Sequence, residues 1–130
     1  MEPNRFWETI KFFKYQEFSD PEDPESGLQM NHLLVTYLDE LRKISGHPII
    51  VHQNGGFSFK GHEKNSLHYV GQACDFHFRN WILGPREQMK IILGMGRFGG
   101  VGFYPEWKPV WGFHLDVRPG FQIWVKRKEK

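Results

Sequence analysis

Along this chain the spacing of apolar positions changes several times, and each change marks an element. In residues 4–14 (NRFWETIKFFK), Phe6, Ile10 and Phe13 recur at helical steps behind Asn4, with Trp7 beside them. This predicts a short amphipathic helix capped by Asn4. Residues 19–27 (SDPEDPESG) combine two prolines, an acidic cluster and a glycine, and read as an exposed loop with no apolar residue to bury. From Gln29 to Ser45, Met30, Leu33, Leu34, Tyr37, Leu38, Leu41 and Ile44 recur at three- and four-residue steps until Gly46 and Pro48 stop the pattern, which predicts a second helix. Pro48 to His52 is a β-branched run that predicts a buried strand. The glycine-containing loop QNGGFSFKGHEKNS follows it, the kind of segment on which function usually sits.

Gln72 to Phe78, bracketed by Gly71 and Asn80, predicts a second strand. Pro85 is suited to the first position of a third helix, with Met89, Ile92 and Leu93 as its inner stripe and Gly94 and Gly96 ending it. Gly100–Tyr104 and Trp111–Val117 then read as strands, and Phe121–Val125 as a last one across the Pro119-Gly120 turn. The order helix, helix, strand, strand, helix, three strands predicts an α+β fold with a largely antiparallel sheet, because a parallel sheet requires regular strand–helix alternation.

Composition narrows the function classes. At 130 residues and 15.4 kDa the chain predicts one domain, residues 1–130. Within it, 1–27 form the N-terminal helix and loop, and 119–130 the last strand and a basic tail. Hydrophobic residues at 39% and aromatics at 16% supply enough apolar mass for a core. The formal charge of +2 is too small for a nucleic-acid footprint, and the tail WVKRKEK reads as a solvated end. One cysteine, Cys74, excludes an internal disulfide and a thiolate-only zinc site. Alternation sets Cys74 away from Asp75, as a packing residue. No apolar run approaches the roughly 20 residues of a membrane span, and the N-terminus lacks the apolar stretch of a secretory signal. These features predict a monomer made in the cytoplasm, with neither nucleic acid nor membrane as partner.

Seven histidines make convergence with carboxylates the useful question. In Ser66-Leu67-His68-Tyr69-Val70-Gly71-Gln72-Ala73-Cys74-Asp75, a loop histidine precedes a strand aspartate, and Gly71 and Ala73 let the chain turn and pack closely between them. In Trp111–Val117, strand alternation sends Phe113, Leu115 and Val117 to the core and Gly112, His114 and Asp116 to the open face. Two histidines and an aspartate are the nitrogen and oxygen donors of a catalytic zinc site, which keeps a fourth position for water. A lone histidine is more often a surface or satisfied core residue, so spacing alone does not decide the matter.

Three ordered motifs occur together: Ser-x-His-x-x-Gly-x-Ala-x-Asp (Ser66 to Asp75), Gly-Val-Gly-x-Tyr-Pro (Gly100 to Pro105) and Phe-His-Leu-Asp-Val-Arg (Phe113 to Arg118). With Glu17-Phe18, Leu41-Arg42 and Gly46-His47-Pro48-Ile49-Ile50 upstream, this set resembles the zinc D-alanyl-D-alanine carboxypeptidase family of cell-wall peptidases over roughly Phe6 to Arg118. Within that family it is most similar to the phage or prophage subgroup with His-x-Asp-Val. The resemblance implies the small α+β fold shared with the amidase-like domain of Hedgehog proteins. It also implies one Zn2+ on His68, Asp75 and His114, and hydrolysis of peptide bonds in the peptidoglycan stem peptide, of carboxypeptidase or endopeptidase type. Such a protein would serve in lysis, released to the wall by another protein.

Two departures bear on mechanism. Many members carry an acidic residue three positions before the last histidine ligand, where this chain has Trp111. Asp116 is then the first candidate base, with orientation of a ligand histidine as its alternative role, and Glu106 is a second candidate. The family's substrate-binding arginine is also missing from Gln53-Asn54-Gly55-Gly56-Phe57. Lys60 is the candidate replacement, with Ser66, His77 and Arg118 as further substrate-binding candidates. The alternative function these departures suggest is an inactive zinc-binding domain of the same fold that recognises wall peptide or a protein partner.

Overall fold

The computed structural model describes residues 3–127. Three helices and five strands follow in the order α1 (Pro3–Glu8), α2 (His32–Ser45), β1 (Ile49–Val51), β2 (Ala73–Phe78), α3 (Pro85–Met95), β3 (Gly100–Tyr104), β4 (Gly112–Asp116) and β5 (Gln122–Val125). Single 3-10 turns lie at Tyr15–Phe18, Ser26–Gln29 and Leu67–Val70. The strands form one sheet in the order β1-β2-β4-β3-β5, with every neighbouring pair antiparallel except β3 and β5. The predicted α+β class and mostly antiparallel sheet are therefore present. The last three residues of the basic tail, 128–130, lie outside the described residues.

One face of the sheet is the core. Cys74, Phe76 and Phe78 of β2, Val101 of β3, and Phe113 and Leu115 of β4 are buried against Leu34, Val35, Leu38 and Leu41 of α2 and Ile92 of α3. The α2 stripe follows from three- and four-residue spacing. Asn31 caps the helix, its Oδ1 accepting from the Leu34 amide at 3.0 Å, and Gly46 closes it. Burial of Phe76 and Phe113, each worth about 1.5–3 kcal/mol against exposure, fixes which face of β2 and β4 looks inward. The opposite face, carrying Asp75, His114 and Asp116, is left to polar chemistry. Cys74 is a packing residue as expected, and burial pushes its thiol pKa up.

Several expectations are corrected. The first helix spans only Pro3–Glu8 rather than 4–14, so Asn4 lies within it and caps nothing. The chain leaves the helix because the amides of Lys11 and Phe12 donate to the Asp39 carboxylate on α2, at 3.0 and 2.8 Å, instead of to an earlier turn. Residues 19–27 are not merely exposed loop, since Asp20 and Ser26 are buried. Asp20 accepts from the amides of Glu22 and Phe59, while Ser26 Oγ accepts from the Asp20 amide. Polar groups bury here because each is bonded. On α3 the inner residues are Gln88 and Ile92, with Met89 partly buried against the core as expected, and Leu93 is exposed. Gln88 is buried because it bonds at both ends, accepting from Trp111 Nε1 at 2.7 Å and donating to the Leu83 carbonyl at 2.9 Å. β1 is an edge strand with only Ile49 fully buried.

Candidate metal centre

The β2–β4 register sets Asp75 opposite His114 and Ala73 opposite Asp116, so the two motifs meet on the open face by strand pairing alone. His68 reaches the same point from the turn Leu67–Val70. Ser66 caps that turn by accepting from the His68 amide at 3.2 Å. Gly71 ends it at φ +71°, a left-handed conformation that favours glycine, and the chain then enters β2. The expected role of Gly71 as a turning point is thus met. A Cβ there would also press on the Gln29 carbonyl at 2.8 Å.

His68 is buried, and its Nδ1 lies 3.1 Å from the Gly56 carbonyl. A carbonyl only accepts, so Nδ1 donates to it and Nε2 is the ring nitrogen left to face the site. That Nε2 faces Asp75 Oδ1 at 3.2 Å. A contact of this length is closed by a proton on Nε2 or by a metal ion that takes both atoms as ligands. His62 repeats the device: its ring stacks on His68 with centroids 3.9 Å apart and planes 12° apart, and its Nε2 lies 2.8 Å from the Asn54 carbonyl. Tyr69 holds the loop by exchanging hydrogen bonds with the His62 backbone at 2.8 and 2.6 Å. One ligand atom from each of His62, His68 and Asp75 lies within 4.8 Å of the others, so this group could hold a metal ion. Backbone carbonyls that fix the tautomer of ligand histidines are a usual part of such sites.

His114 shares the Asp75 carboxylate, with Nδ1 at 2.9 Å from Asp75 Oδ1 and Nε2 at 2.7 Å from Asp116 Oδ2. Burial would lower its pKa, but hydrogen bonds to Asp116 and Asp75 win and raise it to about 9. Burial likewise works against ionised Asp75, and hydrogen bonds from His114 and His68 overcome it, holding the carboxyl well below the usual range. Asp116 follows the same pattern, held low by His114 and Arg118 against its burial. Arg118 grips Asp116 in a fork, Nε to Oδ1 at 2.9 Å and Nη2 to Oδ2 at 2.7 Å, while Nη1 donates to Gln122 at 3.0 Å. Polar contacts thus run unbroken from Arg118 through Asp116, His114 and Asp75 to His68.

A cavity of about 790 Å3 opens over this group. Of the residues singled out from sequence, Ser66, His68, Asp75, His114 and Arg118 line it. Lys60, His77, Glu106 and Asp116 do not. Lys60 is exposed and pairs with Glu22 at 3.4 Å. His77 is turned to His52, Nδ1 to Nε2 at 2.9 Å, and burial lowers both their pKa values. Glu106 sits in the turn after β3. Asp116 is fully buried behind His114 with both oxygens bonded, which suits a carboxylate that orients a histidine better than one open to water. Trp111, at the expected acidic position, points its indole N–H at Gln88.

Sequence reasoning missed His62, although it sits in the glycine loop flagged for function, six residues before His68. It also missed the aromatic wall of Tyr104, Trp107 and Trp124, and the charged rim residues Glu63, Lys64 and Lys126. Compared with known proteins, the chain matches no family model, no curated protein and no solved structure. Among the described residues no helix is long and apolar enough to cross a membrane.

Proposed function

We propose that this chain is a zinc-dependent peptidase of the Hedgehog/DD-peptidase fold that acts on the peptide of the bacterial cell wall. The observation that carries this reading is the convergence of His62, His68 and Asp75, whose ligand atoms lie within 4.8 Å of one another, beside His114 in an open cavity. Nitrogen and carboxylate donors in this number suit zinc. His68 and Asp75 would hold the ion, with His114 completing the set that the sequence motifs suggest and His62 beside it. When bound, zinc supplies a Lewis acid that polarises a carbonyl and makes water more acidic.

The protein's own groups do the rest. Gly56 orients His68 through Nδ1, and Asp116, itself fixed by Arg118, orients His114 through Nε2. A general base must face the cavity, and besides Asp75 the carboxylate that lines it is Glu63, on the loop. Glu63 is therefore assigned the proton transfer that Asp116 and Glu106 are not placed to perform. Trp111 turned to Gln88 and Asp116 saturated by its partners favour the second reading, a zinc-binding domain that recognises wall peptide without cutting it.

The test is metal content by mass spectrometry on the parent, His68→Ala and His114→Ala, together with product analysis after incubation with purified peptidoglycan. About one zinc per chain, lost in both variants, with new peptide termini that vanish in Glu63→Gln, is the expected result. Zinc without new termini selects the binder. A parent that takes up no zinc sinks both.

A further inference from the structure

Resting on that reading, we propose that Lys126 is the residue that anchors a carboxylate of the substrate peptide, which lies along a wall built from Tyr104, Trp107 and Trp124. The wall is rigid. Trp107 stacks on Tyr104 with centroids 4.1 Å apart and planes 14° apart, and Trp124 Nε1 donates to the Tyr104 hydroxyl at 3.1 Å. Its flatness depends on glycine in the sheet beneath. A Cβ at Gly102, which pairs with His114, would meet the Trp124 indole at 2.6 Å, and one at Gly112 would meet the Trp107 ring at 2.6 Å. The centroids of the His114 and Trp124 rings lie 5.3 Å apart, so the wall adjoins the metal group directly. Aromatic faces held this way give a peptide apolar contact without ordering new side chains.

Three cationic side chains line the same cavity: Lys64, Arg118 and Lys126. Arg118 is committed to Asp116 and Gln122 and lies over the Trp124 ring at 5.1 Å. Among the described residues, the ammonium groups of Lys64 and Lys126 have no hydrogen-bond or ion-pair partner. Lys126 is the better placed of the two. Its amide donates to the Phe103 carbonyl at 2.9 Å, which carries the β3–β5 pairing one residue past Val125. Two positions on from Trp124, it leaves the strand on the same side as the wall. A strand-held lysine therefore stands at the cavity where Lys60, predicted for this role, does not.

A peptide offers this cation either its C-terminal carboxylate or a side-chain one. Both are tested by titrating zinc-loaded, 15N-labelled protein with a short wall stem peptide, the same peptide amidated at its C-terminus, and the same peptide amidated at its side-chain carboxylate. The indole N–H signals report binding. In Lys126→Gln, affinity for the free peptide is expected to fall about three- to tenfold, with Lys126→Arg close to the parent. One of the two amidated peptides should show the same loss in the parent and no further loss in Lys126→Gln, which identifies the carboxylate. Equal affinity in parent and Lys126→Gln overturns the proposal, as does failure of the parent to bind any of the peptides. Hydrolysis is scored separately. Lys126-dependent binding without hydrolysis keeps the anchor and removes the peptidase, and hydrolysis indifferent to Lys126 does the reverse.

Discussion

The two faces of the β2–β4 pair are made from alternate residues of the same strands, yet they are stabilised by opposite means. On one face Phe76, Phe113 and Leu115 pack with no polar atom to satisfy. On the other, Asp75, His114 and Asp116 are almost as buried and survive only because each charge has a partner within about 3 Å. The apolar face is tolerant of position and costly in volume, whereas the polar face is tolerant of volume and costly in any lost partner. A metal site belongs on the second. Its ligands must already be desolvated, oriented and held against repulsion before the ion arrives.

Truncation on the apolar face should have the largest effect. Phe113→Ala removes a fully buried ring in contact range of Phe76, Phe78 and Phe103, and is expected to cost about 3–5 kcal/mol in urea unfolding. A cost below about 1 kcal/mol would mean that the sheet does not rest on this layer. On the polar face, Asp116→Asn keeps the shape and removes the charge between His114 and Arg118. Zinc affinity should drop about 10–100-fold, measured by competition with a chromophoric chelator. The His114 pKa should also fall from about 9 toward its ordinary 6.5, measured by NMR titration. If Asp116 were instead a base that leaves His114 unoriented, affinity would stay put.

The same network predicts a pH window for the metal-free protein. His114 has a folded pKa above its unfolded value, so its contribution is complete below about 6.5 and is lost as pH rises through about 9. Asp75 and Asp116 have folded values below 3.8, so theirs is present above that pH and lost as pH falls further. Metal-free protein should thus be most stable between about pH 4 and 6.5 and lose a few kcal/mol by pH 10. A thermal midpoint that is flat from pH 6 to 10 would show that His114 is not held as a cation.

How legible each face was follows from what determines it. Strand alternation is local, so the core face was readable from spacing, whereas the meeting of Asp75 with His114, 39 residues apart, was an expectation carried only by the resemblance of the ordered motifs. His62, Trp124 and Lys126 reach the cavity only through non-local events, namely the path of residues 53–66 and the parallel addition of β5 beside β3, and neither leaves a periodic trace. The early end of α1 at Glu8 and the burial of Asp20 are of the same kind. Each is decided by a partner far along the chain, Asp39 in one case and the Phe59 amide in the other. Lys60 falls outside the cavity because loop residues alternate in no fixed way, and a lysine a few positions from the cavity can face solvent.

The smallest expected effect tests whether the polar face depends on elements outside the sheet. Ser66→Ala deletes the cap that accepts from the His68 amide, and should cost only about 1 kcal/mol in unfolding. Yet that turn positions His68, whose ring is otherwise fixed by the Gly56 carbonyl and the His62 stack. Two results are therefore separable. If the cap matters only to stability, zinc affinity is unchanged and the sheet with Gly56 suffices to hold the site. If affinity falls by more than the lost stability accounts for, the turn is part of the metal centre, and the division between the two faces of the sheet extends into the loop that closes over it.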